Sequence, residues 1–390
     1  MDELKRYAKK LVIRTLLLPL RLLPVKKNRV FLINNLSHKF AGNPKYVAEH
    51  LMENYGDRLE IVISVREPEK YDHLRKRGFK VVKFNSWQYF VNAMTCRVFL
   101  TNSGGYSYLP MGRKQYVINT WHGGAAYKKC GTDMYSNSPV FRADLKLQAK
   151  QTNAFLSTCT RFTEEFSRAL IIPKERFWEI GMPRNDSMLR PDETLRQEVR
   201  RKIGLQEDEK LILFAPTYRK VDDNYFRDSV AINYGLDKER AVKAMQQRFG
   251  GKWRFAVRYH PNVVNRQDMC DADVLDLTDY EDMQELLLAA DAMINDFSSS
   301  LWDYMLTGKP CFIFAEDLEH YVATTEVYTP VSQWPYPQAV SNDQLEKNIL
   351  EFSEEKYAED CRCHYQALGG RETGDATGQV CRRICQLCTE

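Results

Sequence analysis

Long apolar runs are missing from this 390-residue chain. In its N-terminal arm the longest apolar stretch, Thr15 to Leu20, is flanked by Arg14 and Arg21 and broken by Pro19. A membrane span needs roughly 20 apolar residues, so this arm is not one. It does not read as a signal peptide either, because Arg21, Lys26 and Lys27 follow the apolar part where small residues would mark cleavage. No internal repeat and no low-complexity tract appears, which removes repeat architectures from consideration. A P-loop is absent, and no GxGxxG follows a strand pattern, so neither familiar glycine-rich phosphate cradle is present.

Paired CxxC motifs are lacking too. Of ten cysteines, five crowd the end of the chain: Cys361, Cys363, Cys381, Cys385 and Cys388. Their spacing does not match common zinc modules, and with no export signal they are expected as reduced, small apolar residues on a C-terminal helix. No acidic cluster demands a divalent cation. The expectation is therefore a protein with no required cofactor and no metal site, with Mg²⁺ dependence left open. Net charge is also small. At +4 it gives no reason to expect nucleic acid as a partner.

What charge there is sits at one end. Residues 1–30 hold nine basic residues against Asp2 and Glu3, a net of +7, so the rest of the chain sums to −3. Leu4, Tyr7, Ala8, Leu11 and Leu18 fall on one helical face flanked by Lys and Arg. Residues 1–28 are thus expected to form a basic amphipathic helix lying on an anionic membrane surface. An ordinary surface helix docked on the first domain is the plainer alternative.

Beyond the arm, 44% hydrophobic and 28% charged residues suit a globular enzyme. Short apolar runs alternate with helical patterns: Arg29–Asn34, Glu60–Ser64, Phe79–Lys83, Arg97–Thr101, Tyr116–Thr120 and Ala154–Thr158, then Lys210–Ala215, Trp253–Arg258, Val274–Leu277, Ala292–Asn295 and Pro310–Phe314. Such alternation predicts an α/β fold of two doubly wound, Rossmann-like domains, with a ligand crevice at the carboxyl ends of the strands. The polar stretch Pro191–Glu209 reads as a linker. The domains expected are 29–190 and 191–355, followed by C-terminal helices over 356–390.

Five clusters fall at strand ends. His122 precedes Gly123 and Gly124, where a backbone can approach a ligand closely and an imidazole can move a proton. Arg184 lies in Gly181-Met-Pro-Arg-Asn-Asp186, and Thr217 and Arg219 lie in Phe214-Ala-Pro-Thr-Tyr-Arg219. Both guanidinium groups suit bidentate phosphate binding. His260 follows Arg258-Tyr259 and precedes Pro261. Asp296, Ser298, Ser299 and Asp303 surround a helix start, where free N–H groups favour a phosphate. Each has a bland reading as a buried histidine, an ion pair or a helix cap. Their coincidence suits a pyrophosphate site with a proton acceptor.

In order and spacing, WHGG…KKCG, GMPRND, FAPTYR, RYHPN and DYEDMQELLLAADAMINDFSSSLWDYMLTGKPCFIFAEDLEHY resemble the CDP-glycerol glycerophosphotransferase family, over roughly residues 30–380. Asn43-Pro44-Lys45 resembles an early motif of the same family, although locally Asn43 also reads as a helix cap with Pro44 at the first position. The resemblance implies a GT-B-like architecture: an N-terminal acceptor domain, a C-terminal CDP-donor domain facing it across a cleft, and final helices crossing back. It implies His122 and His260 as the essential pair, with His122 as general base. Arg184, Thr217, Arg219, Asp296, Ser298, Ser299 and Asp303 would serve the donor and its pyrophosphate, and Asn43, Lys45 and Gly123 the acceptor. The implied reaction moves an alditol phosphate from CDP-glycerol, or from CDP-ribitol, to a lipid-linked acceptor at the cytoplasmic face of a bacterial membrane. A sugar-nucleotide glycosyltransferase of the same architecture is a further alternative. The chain departs from the family pattern at Gly124-Ala125, where Thr-Pro is usual, and over Val322–Pro337.

Overall fold

The computed structural model describes residues 3–134, 138–217, 235–259, 273–324 and 327–389. The chain forms two compact units, Met1–Asp186 with Leu368–Glu390, and Ser187–Ala367. The first holds seven strands: β1 (Lys26–Ile33), β2 (Glu60–Val65), β3 (Lys80–Lys83), β4 (Cys96–Thr101), β5 (Tyr116–Asn119), β6 (Ala154–Ser157) and β7 (Phe177–Glu179). Their order is β3-β2-β1-β4-β5-β6-β7, all parallel. The second unit holds β8 (Glu209–Phe214), β9 (Lys252–Val257), β10 (Val274–Asp276), β11 (Ala292–Asn295), β12 (Cys311–Phe314) and β13 (Gln338–Ala339). These run β10-β9-β8-β11-β12-β13, again parallel.

The strand sequences explain this. A parallel strand buried on both faces reads as a continuous apolar run rather than an alternating one. In β1, Val30 and Leu32 point into one core cluster, and Phe31 and Ile33 into the cluster on the opposite face. Leu32 is in register with Ile63 on one side and Leu100 on the other. Truncating so enclosed a leucine to alanine costs about 2–5 kcal/mol. Strand order reverses between β1 and β4 in the first unit, and between β8 and β11 in the second. Those are the switch points where open α/β sheets receive ligands.

The last helix, Ala376–Thr389, returns to the first unit, where Val380, Cys381, Ile384, Leu387 and Cys388 enter its core. Burial pushes the Cys388 thiol up to about 12, so it behaves as a small apolar group. Among the described residues no cluster of His, Cys, Asp or Glu is placed to hold a metal ion.

Pro191–Glu209 is not a plain linker. Glu193–Lys202 is a helix whose N-cap Asp192 accepts the Leu195 N–H at 3.1 Å. Its basic residues look like solvated linker charge in the sequence, but Arg196 and Arg200 reach Asp291 at 2.6 and 2.9 Å. The alternative reading of Asn43 as a plain helix cap does not hold. Gly42 occupies the N-cap of the helix Asn43–Tyr55 at φ 63°, without a side-chain cap bond, and Asn43 turns elsewhere.

The N-terminal helix Glu3–Leu17 has two unlike faces. Arg14 donates to the carbonyls of Ser107 and Leu109 and to Gln151, at 2.6, 2.8 and 2.7 Å, while Lys10 pairs with Asp144. The helix also leaves Leu4, Leu11, Val12 and Leu16 exposed, continued by Leu18 and Leu22. No described helix is long and apolar enough to cross a membrane.

Candidate functional site

In the first unit β5 ends at Asn119, and the chain turns sharply. Asn119 Oδ1 accepts the Trp121 N–H at 2.9 Å, and Trp121 takes φ 54°. This places the Trp121 ring against His122, centroids 4.5 Å apart and planes 29° from parallel. Phe166 meets the indole edge-on at 5.4 Å. The half-buried His122 ring bonds through Nδ1 to the backbone carbonyl of Asn102, at 3.0 Å. Burial, with a further push from the Arg184 charge, lowers its pKa to about 4 despite that carbonyl. The imidazole is therefore neutral near pH 7.

Asn43 fastens three segments together. Its Nδ2 donates to the Trp121 and Thr120 carbonyls at 2.9 and 3.3 Å, and its Oδ1 accepts the Arg184 N–H at 3.0 Å. Arg184 thus stands with His122 in the first unit, although the sequence reading grouped it with the donor-binding residues. Lys45 lies two residues on, its ammonium 5.3 Å from the Tyr46 ring centroid. Gly123 is buried within the turn.

The rest of the GMPRND motif has a structural explanation. Glu372, just before the last helix, accepts the Met182 N–H at 3.0 Å and the Asn185 amide at 2.7 Å. Asp186 accepts the N–H groups of Ala376 and Thr377 at 2.9 and 2.8 Å, capping that helix. Gly181 at φ 84° leaves no room for a Cβ, which would lie 2.3 Å from the Glu372 carboxylate. The motif closes the first unit over its returning C-terminal segment.

In the second unit, Thr217 follows β8 and Asp296 follows β11. Wholly buried, Asp296 accepts the Thr217 N–H at 2.9 and 3.0 Å and its hydroxyl at 2.7 Å. Ser298 Oγ accepts from the Ser300 N–H at 3.3 Å and lies 2.9 Å from its hydroxyl. Asn295 donates to Ser300 Oγ at 2.9 Å. Ser299 occupies the N-cap of the short helix Ser300–Met305 but makes no side-chain cap bond. Asp303, also buried, accepts from the Gln284 amide at 3.1 Å. Arg219 and His260 lie outside the described residues. Just ahead of His260, Arg258 donates to the Tyr280 carbonyl at 3.1 Å and the Tyr259 N–H to Thr278 at 3.2 Å.

Sequence reasoning missed Asn34, Asn35 and Asn102. The signal was present: Asn34 and Asn102 each directly follow an apolar strand, Asn35 is next to Asn34, and Asn102 opens Asn-Ser-Gly-Gly. Amides at the carboxyl ends of adjacent strands are well placed to bond one another's loops.

The sequence profile of the family described as CDP-glycerol:poly(glycerophosphate) glycerophosphotransferase matches residues 17–386. The chain is 25% identical to the teichoic acid glycerol-phosphate transferase of Staphylococcus aureus over 98% of its own length and 99% of that protein. It is 27% identical to the teichoic acid poly(glycerol phosphate) polymerase of Staphylococcus epidermidis over 72% of its length, spanning 39% of that longer protein. Among solved structures, the wall teichoic acid polymerase TagF in a form soaked with CDPG aligns with a TM-score of 0.81 at 23% identity. That match covers 99% of this chain and 97% of the other. The fold is accordingly α/β and GT-B-like.

Proposed function

The chain belongs to the CDP-glycerol:poly(glycerophosphate) glycerophosphotransferase family, and from that membership we propose that it moves glycerol phosphate from CDP-glycerol to a membrane-anchored acceptor, releasing CMP. The polymer under construction would be of teichoic acid or capsule type. The observation that carries this reading is the placement of the His122 imidazole at the turn after β5, stacked on Trp121. Its Nδ1 is occupied by the Asn102 carbonyl, and it makes no other hydrogen bond with the described residues.

In the proposed step the acceptor hydroxyl gives its proton to His122, and its oxygen bonds to the phosphorus carrying the glycerol. The bond from that phosphorus to the bridging oxygen breaks, and the electron pair leaves with CMP. A general base contributes about 10²–10⁴-fold, so charge stabilisation and positioning supply most of the acceleration. The Thr217 backbone fixed by Asp296, with Ser298, Ser299, Arg219 and His260, is assigned to the pyrophosphate. Asp303, beside the same loop of the second unit, and Arg184, held by Asn43 in the first, are assigned to the donor as well, and Asn43, Lys45 and Gly123 to the acceptor.

The acceptor is taken to be lipid-linked at the cytoplasmic face of a bacterial membrane. Support comes from the N-terminal helix, whose inner face is tied down by Arg14 and Lys10 while Leu4, Leu11, Leu16 and Leu18 stay exposed among Lys5, Lys9 and Arg21. Apolar side chains exposed beside basic ones on a docked helix suit a helix that also meets a bilayer surface.

The test offers purified protein CDP-glycerol, CDP-ribitol and a panel of UDP- and GDP-sugars, with a lipid-linked acceptor. CMP release with CDP-glycerol is expected. Turnover of CDP-ribitol alone would move the assignment to ribitol phosphate, and UDP release would refute phosphodiester chemistry.

A further inference from the structure

Asn34 directly follows β1 and Asn102 directly follows β4, the two strands between which the order of the first sheet reverses. Both side chains are buried. Asn102 Nδ2 donates to Asn34 Oδ1 at 2.9 Å, and Asn102 Oδ1 accepts the Asn35 N–H at 2.9 Å. Asn34 Oδ1 also accepts the N–H groups of Leu36 and Ser37, each at 3.2 Å, and its Nδ2 donates to the Ala41 carbonyl at 3.0 Å. Both ends of both carboxamides are engaged, so neither can rotate without stranding a buried polar group.

This locks the Asn102 peptide, and its carbonyl is the group that faces His122 Nδ1 at 3.0 Å. A carbonyl oxygen has no hydrogen to give. The nitrogen opposite must carry one, and a neutral imidazole then holds its lone pair on Nε2. The Trp121 ring, stacked at 4.5 Å, fixes the ring plane.

We infer that Asn34 and Asn102 are positioning residues that dictate the tautomer of His122. They hold the Asn102 carbonyl on Nδ1 so that Nε2 is the nitrogen that receives the acceptor proton. Use of that lone pair rests on the proposed transfer reaction, whereas the tautomer is a property of the resting protein. When Nε2 takes the hydroxyl proton, the new charge strengthens the Nδ1–H bond to the Asn102 carbonyl, which favours the transition state over the ground state. After CMP departs, the imidazolium returns its proton to water.

The experiment is ¹⁵N NMR of histidine-labelled full-length protein near pH 7, with His122 assigned by its loss in His122→Asn. The wild type is expected to show one neutral tautomer protonated at Nδ1. An Nε2-protonated ring, or an even mixture, overturns the proposal whatever the variants do. Asn102→Asp keeps the shape and the Asn35 bond but sets a carboxylate oxygen against Asn34 Oδ1. It is expected to give mixed tautomers, an acid limb of kcat displaced to higher pH, and a kcat about 10²-fold lower with the donor KM within about twofold. Asn34→Asp retains the acceptor that Asn102 needs and is expected to preserve the tautomer, whereas Asn34→Ala is not. A folded Asn102→Asp or Asn34→Ala protein with the wild-type tautomer and unchanged kcat would overturn the assignment. If no CDP-alditol is turned over at all, the proposed reaction fails while the NMR result still decides this inference.

Discussion

Asp296 and Thr217 are joined by three hydrogen bonds, two from the Thr217 N–H and one from its hydroxyl, at 2.7 to 3.0 Å. They stand at the ends of β11 and β8, across the reversal of strand order in the second sheet. Asn34 and Asn102 hold the corresponding place in the first sheet. Each unit therefore ties its switch point shut with side chains from the two strands that define it. The Asp296 carboxylate fixes the Thr217 backbone.

Replacing that carboxylate should loosen the loop rather than unfold the unit. Asp296→Asn presents an amide to a backbone donor, and kcat/KM for CDP-glycerol is expected to fall about 10- to 100-fold, mainly through KM. Steady-state kinetics with a fixed acceptor measure this. An unchanged KM would show that Thr217 does not serve the donor.

His122→Ala should lower kcat by at least about 10²-fold with little change in thermal stability. Because burial holds the wild-type imidazole neutral down to about 4, the acid limb of kcat/KM should lie well below the ordinary histidine range. A pH–rate profile from pH 4 to 9 checks this. An acid limb at an ordinary imidazole value, about 6.5, would contradict it.

Folding stability has its own pH dependence. Burial lowers His38 and His364 to about 4 as well, the latter against a backbone bond to Gln333. Between about 4 and the unfolded imidazole value of about 6.5, the unfolded chain binds more protons than the folded one. Stability should therefore fall as pH drops through that window and be unaffected by these groups above it. Calorimetric Tm values from pH 7.5 to 4.5 test the slope, which His364→Gln should flatten.

Glu372→Ala removes the acceptor for the Met182 N–H and the Asn185 amide together. A loss of about 2–4 kcal/mol is expected from two stranded donors. Hydrogen exchange should then report opening of Ala376–Thr389 before the rest of the first unit. Exchange unchanged in that helix would count against the motif's closing role.

Gly131 ends the KKCG segment at φ 54°, and a Cβ there would sit 2.1 Å from the Ala169 carbonyl oxygen. Since the clash is with backbone, no rotamer relieves it. Gly131→Ala should cost about 1–3 kcal/mol, read from urea denaturation.

Much of this was legible in the sequence because buried parallel strands announce themselves. RVFLIN and RVFLT need both faces covered, and β1 and β4 lie where those runs fall. β13 escaped because two residues after Pro337 carry no periodicity, and β12 alone pairs with it. The helix Glu193–Lys202 escaped because its arginines look solvated until Asp291 is seen beneath them. His122 could be picked out from its glycines, but its partner could not. The group that faces it is a main-chain carbonyl, invisible in any side-chain pattern. Asn43 misled for a related reason: its local spacing suits a cap, and a longer-range bond to Trp121 wins.

The first unit is discontinuous in sequence, with Leu368–Glu390 supplying its final helix after the whole of Ser187–Ala367 has been made. On the ribosome, the sheet bearing His122 must wait for Leu368–Glu390 before Val380 and Ile384 fill its core, whereas the intervening unit precedes that segment in the chain. A stalled or prematurely terminated message would thus yield a finished second unit beside an unsealed first one, and the proton acceptor would be among the last features to mature.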